Sequence, residues 1–175
     1  MYAQRPDVAC VGAPLIRPNG QYLHAGYAME VPGGALSYHQ GAMRWGRPYQ
    51  LTDRAVRNVT GVSAGWMMIR REAFLELGGF DAYVSDLKGA ALGMEAIRRG
   101  YLNVITPYAL AQVRGEIPCL TGAAPEDDLA LLARSGPVTE RYYSHLMERE
   151  KGVMAPDFTR PMPPYGEEAD TCGSR

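Results

Sequence analysis

The stretch Asn58–Asp81, NVTGVSAGWMMIRREAFLELGGFD, constrains the fold more than any other part of the chain. Its mostly apolar run Val62–Ile69 holds three small residues, Ser63, Ala64 and Gly65. That pattern predicts a buried strand that admits something close to its backbone. Arg70, Arg71 and Glu72 then open a short helix with Phe74, Leu75 and Leu77 on its apolar side. Gly78-Gly79 ends the helix, because glycine takes the left-handed conformation of a C-cap without Cβ strain. Phe80-Asp81 begins the next loop. A strand, a short helix, a double glycine and an acidic loop thus form one compact unit.

The 175 residues suit one domain of ordinary size, or a sizeable piece of a larger one. The net charge is −1 and no stretch carries a basic excess, which argues against a nucleic-acid partner. No apolar run reaches the length of a transmembrane helix, and Met1–Gly20 lacks the basic start and apolar core of a signal peptide. Cys10, Cys119 and Cys172 are far apart and show no Cys-x-x-Cys spacing, so the expectation is a reduced, cytoplasmic chain with no metal site. Cys10 lies in an apolar run and reads as core.

Along the chain, Asp7–Val11 predicts a short buried strand. Arg17-Pro18-Asn19-Gly20 predicts a tight turn, with Gln21–Tyr27 as the returning strand of a hairpin. Val31–Tyr49, rich in Gly, Pro, Tyr, His and Trp, predicts a long ordered loop. Leu87–Arg99 predicts a helix with Leu87, Ala91, Leu92 and Met94 turned inward. Leu102–Thr106 predicts a strand closed by Pro107. Beyond Gly115, a linker at Thr121–Pro125 precedes a helix that starts at Glu126-Asp127-Asp128, where acids favour the N-terminus. A second helix is expected near Val138–Glu150, and the Pro-rich end from Met154 predicts no regular structure. The resulting division is 1–114, an α/β unit; 115–153, a helical extension; and 154–175, an irregular tail. Alternating strands and helices argue for an α/β sheet.

Three ordered stretches carry a resemblance to a known family. Val8–Gly26 (VACVGAPLIRPNGQYLHAG), the Asn58–Asp81 unit with its Gly-Gly-Phe-Asp, and Arg98–Ala109 (RRGYLNVITPYA) resemble family-2 glycosyltransferases. Those are inverting GT-A enzymes that move a sugar from a nucleotide to an acceptor. The resemblance covers roughly residues 5–109 and implies a partial GT-A-like (nucleotide-diphospho-sugar transferase) mixed sheet with flanking helices, followed by the helical extension. It also implies that this chain holds the acceptor-side half, since the family's nucleotide pocket and acidic metal motif lie in a preceding half. No cofactor is then expected in this chain; Mg²⁺ or Mn²⁺ with a nucleotide-sugar would act only if a donor half completed it.

Sugar transfer of this kind needs a carboxylate to take the acceptor proton and a cation to neutralise the leaving diphosphate. The family's base lies on the helix ending at Gly-Tyr; counted back from Gly100-Tyr101, the matching residues are Lys88, Gly89, Ala90, Ala91 and Leu92, none of them acidic. Asp86 is the nearby acid that could substitute, and Ser85-Asp86 equally suits a helix N-cap. The acceptor-side candidates are Ser63, Ala64, Gly65 and Trp66, with Asp81 and His24 matching family positions. Each has a plainer reading: Asp81 as a turn-stabilising residue, His24 as a surface or hydrogen-bonded histidine, Trp66 as core. Trp45 with Tyr38, Tyr49 and Arg47 could stack on a sugar or pack within their own loop. His39 and His145 have no partner pattern. Glu126-Asp127-Asp128 reads as helix capping before metal binding.

Two readings follow. One is the acceptor half of a glycosyltransferase, with a saccharide acceptor and with its donor half on a missing segment or partner chain, inactive by itself. The other is a non-catalytic saccharide- or protein-binding module, or a truncated gene fragment. Strands that normally extend a larger sheet would leave an open edge, so self-association is expected.

Overall fold

Val8–Gly12 forms strand β1, the spine of the larger sheet. Its residues are buried except for half-buried Val11, as a strand flanked on both sides requires. The structure is a computed structural model, and it describes residues 2–30, 34–37, 44, 54–84, 87–115, 126–134, 136 and 141–142. Burial pushes the Cys10 thiol up to about 12, so it is an inert core group, as its apolar neighbours predict.

Two short strands follow, β2 (Leu15–Ile16) and β3 (Tyr22–His24), paired antiparallel across the expected turn. Gly20 N–H donates to Arg17 O at 2.9 Å, Arg17 N–H to Gln21 O at 2.8 Å, and the Asn19 carboxamide oxygen accepts from Gln21 N–H at 3.0 Å. The returning strand ends earlier than Tyr27, because Gly26 at φ 102° redirects the chain. It then enters a second hairpin, β4 (Tyr27–Glu30) with β5 (Gly34–Ser37). The reading of Val31–Tyr49 as one long loop is therefore corrected: Gly34–Ser37 is a strand, its backbone pairing with β4 outweighing the weak propensity of its glycine. Apart from Arg44, the rest of that segment, with Tyr38, His39, Trp45, Arg47 and Tyr49, lies outside the described residues.

The apolar run that begins at Val62 is not one strand. Two three-residue strands, β6 (Arg57–Val59) and β7 (Met67–Ile69), flank residues 60–66. Val62 lies against Gly12, where an added Cβ would fall 2.8 Å from Val62 Cβ. Helix α1 (Arg71–Glu76) follows and ends as expected, with Gly78 at φ 84° and Gly79 at φ 75°. It buries Ala73, while Leu77 just after it is also buried; Leu75, expected inward, is 61% exposed. Phe74 meets Phe80 edge to face at 5.3 Å, which fixes the double-glycine turn against the helix.

Helix α2 (Lys88–Arg98) packs along the sheet and leads through Gly100, at φ 85°, into β8 (Leu102–Ile105). Strand β8 pairs parallel with β1 and antiparallel with β6, giving the order β6-β8-β1-β7. The carboxyl ends of β1 and β8 thus stand side by side. A final strand, β9 (Ala111–Gln112), pairs parallel with β2 in a three-stranded sheet ordered β3-β2-β9. The architecture is a mixed α/β arrangement with mixed sheets and few helices.

Small residues let α2 approach closely. A Cβ on Gly93 would lie 2.5 Å from Thr60 O, and one on Gly89 would collide with Val62 O and fall 2.6 Å from Ala64 N. Asn103 of β8 fills this seam from below. Its buried Nδ2 donates to Thr60 O and Gly93 O, each at 2.9 Å, so it satisfies two carbonyls that water cannot reach.

Helix α3 (Glu126–Arg134) begins with the predicted acids. Its Leu132 joins Leu87, Ala90, Met94, Tyr27, Met29 and Val84 in one buried apolar cluster. Asp128 is buried rather than a free capping acid, and its Oδ2 accepts the Leu87 N–H at 2.9 Å. It thus satisfies an amide at the start of α2, where α2 has no side-chain cap of its own. The expected linker at Thr121–Pro125 lies outside the described residues, as do Cys119, Cys172 and nearly all of the helix expected near Val138–Glu150, including His145. No helix among the described residues is long and apolar enough to cross a membrane.

Candidate ligand-binding crevice

Parallel strands gather their carboxyl ends on one edge, and ligands of open α/β sheets bind in the crevice outside that edge. Here Gly12 of β1 stands in register with Ile105 of β8. The chain leaves β1 through Ala13-Pro14 and β8 through Thr106-Pro107-Tyr108. Because α2 feeds β8 from the opposite end, its N-terminus returns to this same edge.

Met67 pairs with Gly12, which places the preceding residues 63–66 at the carboxyl end of β1. Ser63 is buried and its Oγ accepts the Gly65 N–H at 3.2 Å, while its carbonyl accepts the Trp66 N–H at 3.2 Å. This tight turn lifts Ala64, Gly65 and Trp66 into solvent. The expectation of a buried strand here is corrected: the serine hydroxyl offers the backbone a turn that competes with strand pairing. Trp66 is 52% exposed, not core.

A cavity of about 310 Å³ opens beside this edge. Pro14 and Pro107, immediately after the two strands, form part of its wall, with Tyr22, Arg44, Arg54 and Tyr108 around it. Tyr22 is buried and Tyr108 is 86% exposed.

The other candidates lie elsewhere. Asp81 is exposed, and its Oδ1 accepts the Tyr83 N–H at 2.8 Å, the turn-stabilising geometry. It lines a separate groove of about 330 Å³ with Gly79, Leu92, Glu95, Arg98 and Leu132. His24 is fully buried in β3, contrary to a surface reading, because its neighbours Leu23 and Ala25 are core. Its ring packs on Tyr27 with centroids 4.3 Å apart. Burial, and then the positive charge of Arg57, pushes the imidazole down to about 3, so it is neutral at ordinary pH. Asp86 lies outside the described residues.

Among the described residues no three His, Cys, Asp or Glu side chains group to hold a metal ion. Where the resemblance puts a carboxylate region, Gly89 has no room for a Cβ, and Ala90 is buried.

Sequence reasoning missed Arg44, Arg54 and Tyr108, which line one cavity. Their spacing carries no local signal. Pro107 after an apolar strand was the one hint that a loop begins there.

No protein-family model matches the chain, and no solved structure matches it. The chain is 35% identical over 111 residues to the uncharacterised protein y4gI of Sinorhizobium fredii, covering 61% of this chain and 12% of that protein. It is 33% identical over 90 residues to the O-antigen biosynthesis protein RfbC of Myxococcus xanthus, covering 45% of this chain and 6% of that protein. The matched stretch is thus a small part of either relative.

Proposed function

We propose that the chain is a glycosyltransferase-like portion of a larger polysaccharide-building protein, of the family-2, GT-A kind, serving the acceptor side and inactive by itself. The observation that carries this reading is the exposed Ala64-Gly65-Trp66 turn at the carboxyl end of β1, the strand that runs parallel to β8. The partial likeness to an O-antigen biosynthesis protein supports it. Small residues leave the surface of that turn open to a sugar, and the Trp66 indole offers an apolar face to a pyranose ring. Inactivity in isolation is supported by the residues Lys88, Gly89, Ala90, Ala91 and Leu92, none of them acidic, at the positions that match the family's base. A saccharide-binding module without catalysis is the second reading, favoured by that same absence of a carboxylate.

Calorimetric titration tests the proposal. The folded chain should show no binding of UDP, GDP or dTDP with Mn²⁺, and weak binding of neutral oligosaccharides with a change in Trp66 emission that Trp66→Phe removes. Metal-dependent nucleotide binding would overturn the inactive, acceptor-side assignment. Absence of any saccharide binding would overturn both readings.

A further inference from the structure

We infer that the outer edge of β7 pairs antiparallel with the same edge of a second copy of this chain, making a two-fold dimer. Strand β7 ends the larger sheet and is bonded to β1 alone. The alternation of the ladder shows which of its backbone groups are unused. Gly12 O accepts the Thr106 N–H at 3.0 Å, so Gly12 turns its polar groups to β8 and Val11 turns its own to β7. Val11 pairs with Met68, and the N–H and C=O of Met67 and Ile69 then point away from β1. None of these outward groups has a partner among the described residues.

The two edges of the sheet differ in how they meet other strands. The far edge, β6, carries Arg57 and exposed Asn58, polar guards of the kind that discourage pairing. β7 reads Met67-Met68-Ile69, with no charge and no proline. Met67 and Ile69 pack against the core, and Met68 stands 64% exposed on the opposite face. A two-fold axis through Met68 sets Met67 opposite Ile69 of the other copy, where each pair exchanges both backbone hydrogen bonds. The same register sets Trp66 opposite Arg70 of the other copy, on the Met68 face. Arg70 is held by its Nη2, which donates to Pro6 O at 2.9 Å, and its guanidinium suits one face of the half-exposed indole. Arg71 and Glu72 fall at Gly65 and Ala64, so no like charges stand opposite. The edge is complementary to itself, which favours a second copy over an unrelated strand. A strand of three residues makes a small contact, so the dimer is weak and depends on concentration.

Sedimentation of the full chain from about 10 μM to about 1 mM tests this pairing. The native chain should pass from monomer to dimer over that range. Met68→Lys, which sets two lysines face to face, should weaken the dimer at least ten-fold while the melt at low concentration stays native. Met68→Cys should cross-link under mild oxidation, because opposed residues that exchange no hydrogen bonds bring their Cα atoms within disulfide reach. The native chain, which holds Cys119 and Cys172, gives the background for that experiment. A native chain that stays monomeric leaves the edge to a strand of another protein and overturns the pairing. So does a dimer that Met68→Lys leaves intact, or a Met68→Cys chain that cross-links no more than the native one. The saccharide reading stands or falls separately from all of these outcomes.

Discussion

The seam beneath α2 and the crevice at the strand ends lie a few residues apart and are built by opposite rules. In the seam, Gly61, Gly89 and Gly93 bring backbone against backbone, and Asn103 satisfies the two carbonyls enclosed there. In the crevice, Ala64, Gly65, Trp66, Arg54 and Tyr108 project into solvent on loops. The contrast separates close backbone packing from open surface. A seam without spare volume fixes where the rim sits, and rim side chains can then change without unfolding what holds them.

That division is breakable, beginning with the tightest contact. Gly89→Val should cost about 3 kcal/mol or more in denaturant melts, since the side chain meets Val62 and Ala64 backbone that cannot swing aside. An unchanged midpoint would show that the seam yields. Asn103→Leu keeps the volume but removes the two buried hydrogen bonds to Thr60 O and Gly93 O, and should lose about 2 kcal/mol.

His24 sharpens the comparison through pH. Its folded-state pKa of about 3 lies below the ordinary 6.5, so the unfolded chain binds the extra proton between those values. Its contribution to stability is complete above pH 6.5 and is lost as pH falls toward 3. Urea midpoints measured at pH 7 and pH 4 should separate, and His24→Phe should narrow the gap; a gap that stays the same assigns the acid sensitivity to other groups. The smallest effect belongs to the rim. Trp66→Ala should move stability by no more than about 0.5 kcal/mol, and a larger loss would mean that the crevice is itself structural.

Local signals were legible in the sequence wherever one residue type answers one backbone need. Pro18-Asn19-Gly20 gave its turn, Gly78-Gly79 ended α1, and Gly100 ended α2. The reading failed where distant segments decide the outcome. Val62 belongs under α2 and Met67 in the sheet, so one apolar run serves two burial surfaces and breaks at Ser63 between them. His24 looks like a turn residue until Leu23 and Ala25 are seen to be core. The arginines of the cavity come from segments whose own composition says only loop.

The hydrogen bond from Leu87 N–H to Asp128 has a consequence for the order of assembly. The two residues are 41 positions apart, so the amide at the start of α2 gains its acceptor only after the chain has closed a long loop. Every strand of the larger sheet precedes Asp128 in the sequence and can pair beforehand. During synthesis, which runs from the N-terminus, the sheet is complete while the rim end of α2 still awaits its partner. The start of α2 thus gains its last hydrogen-bond partner after the strands of the larger sheet have been made.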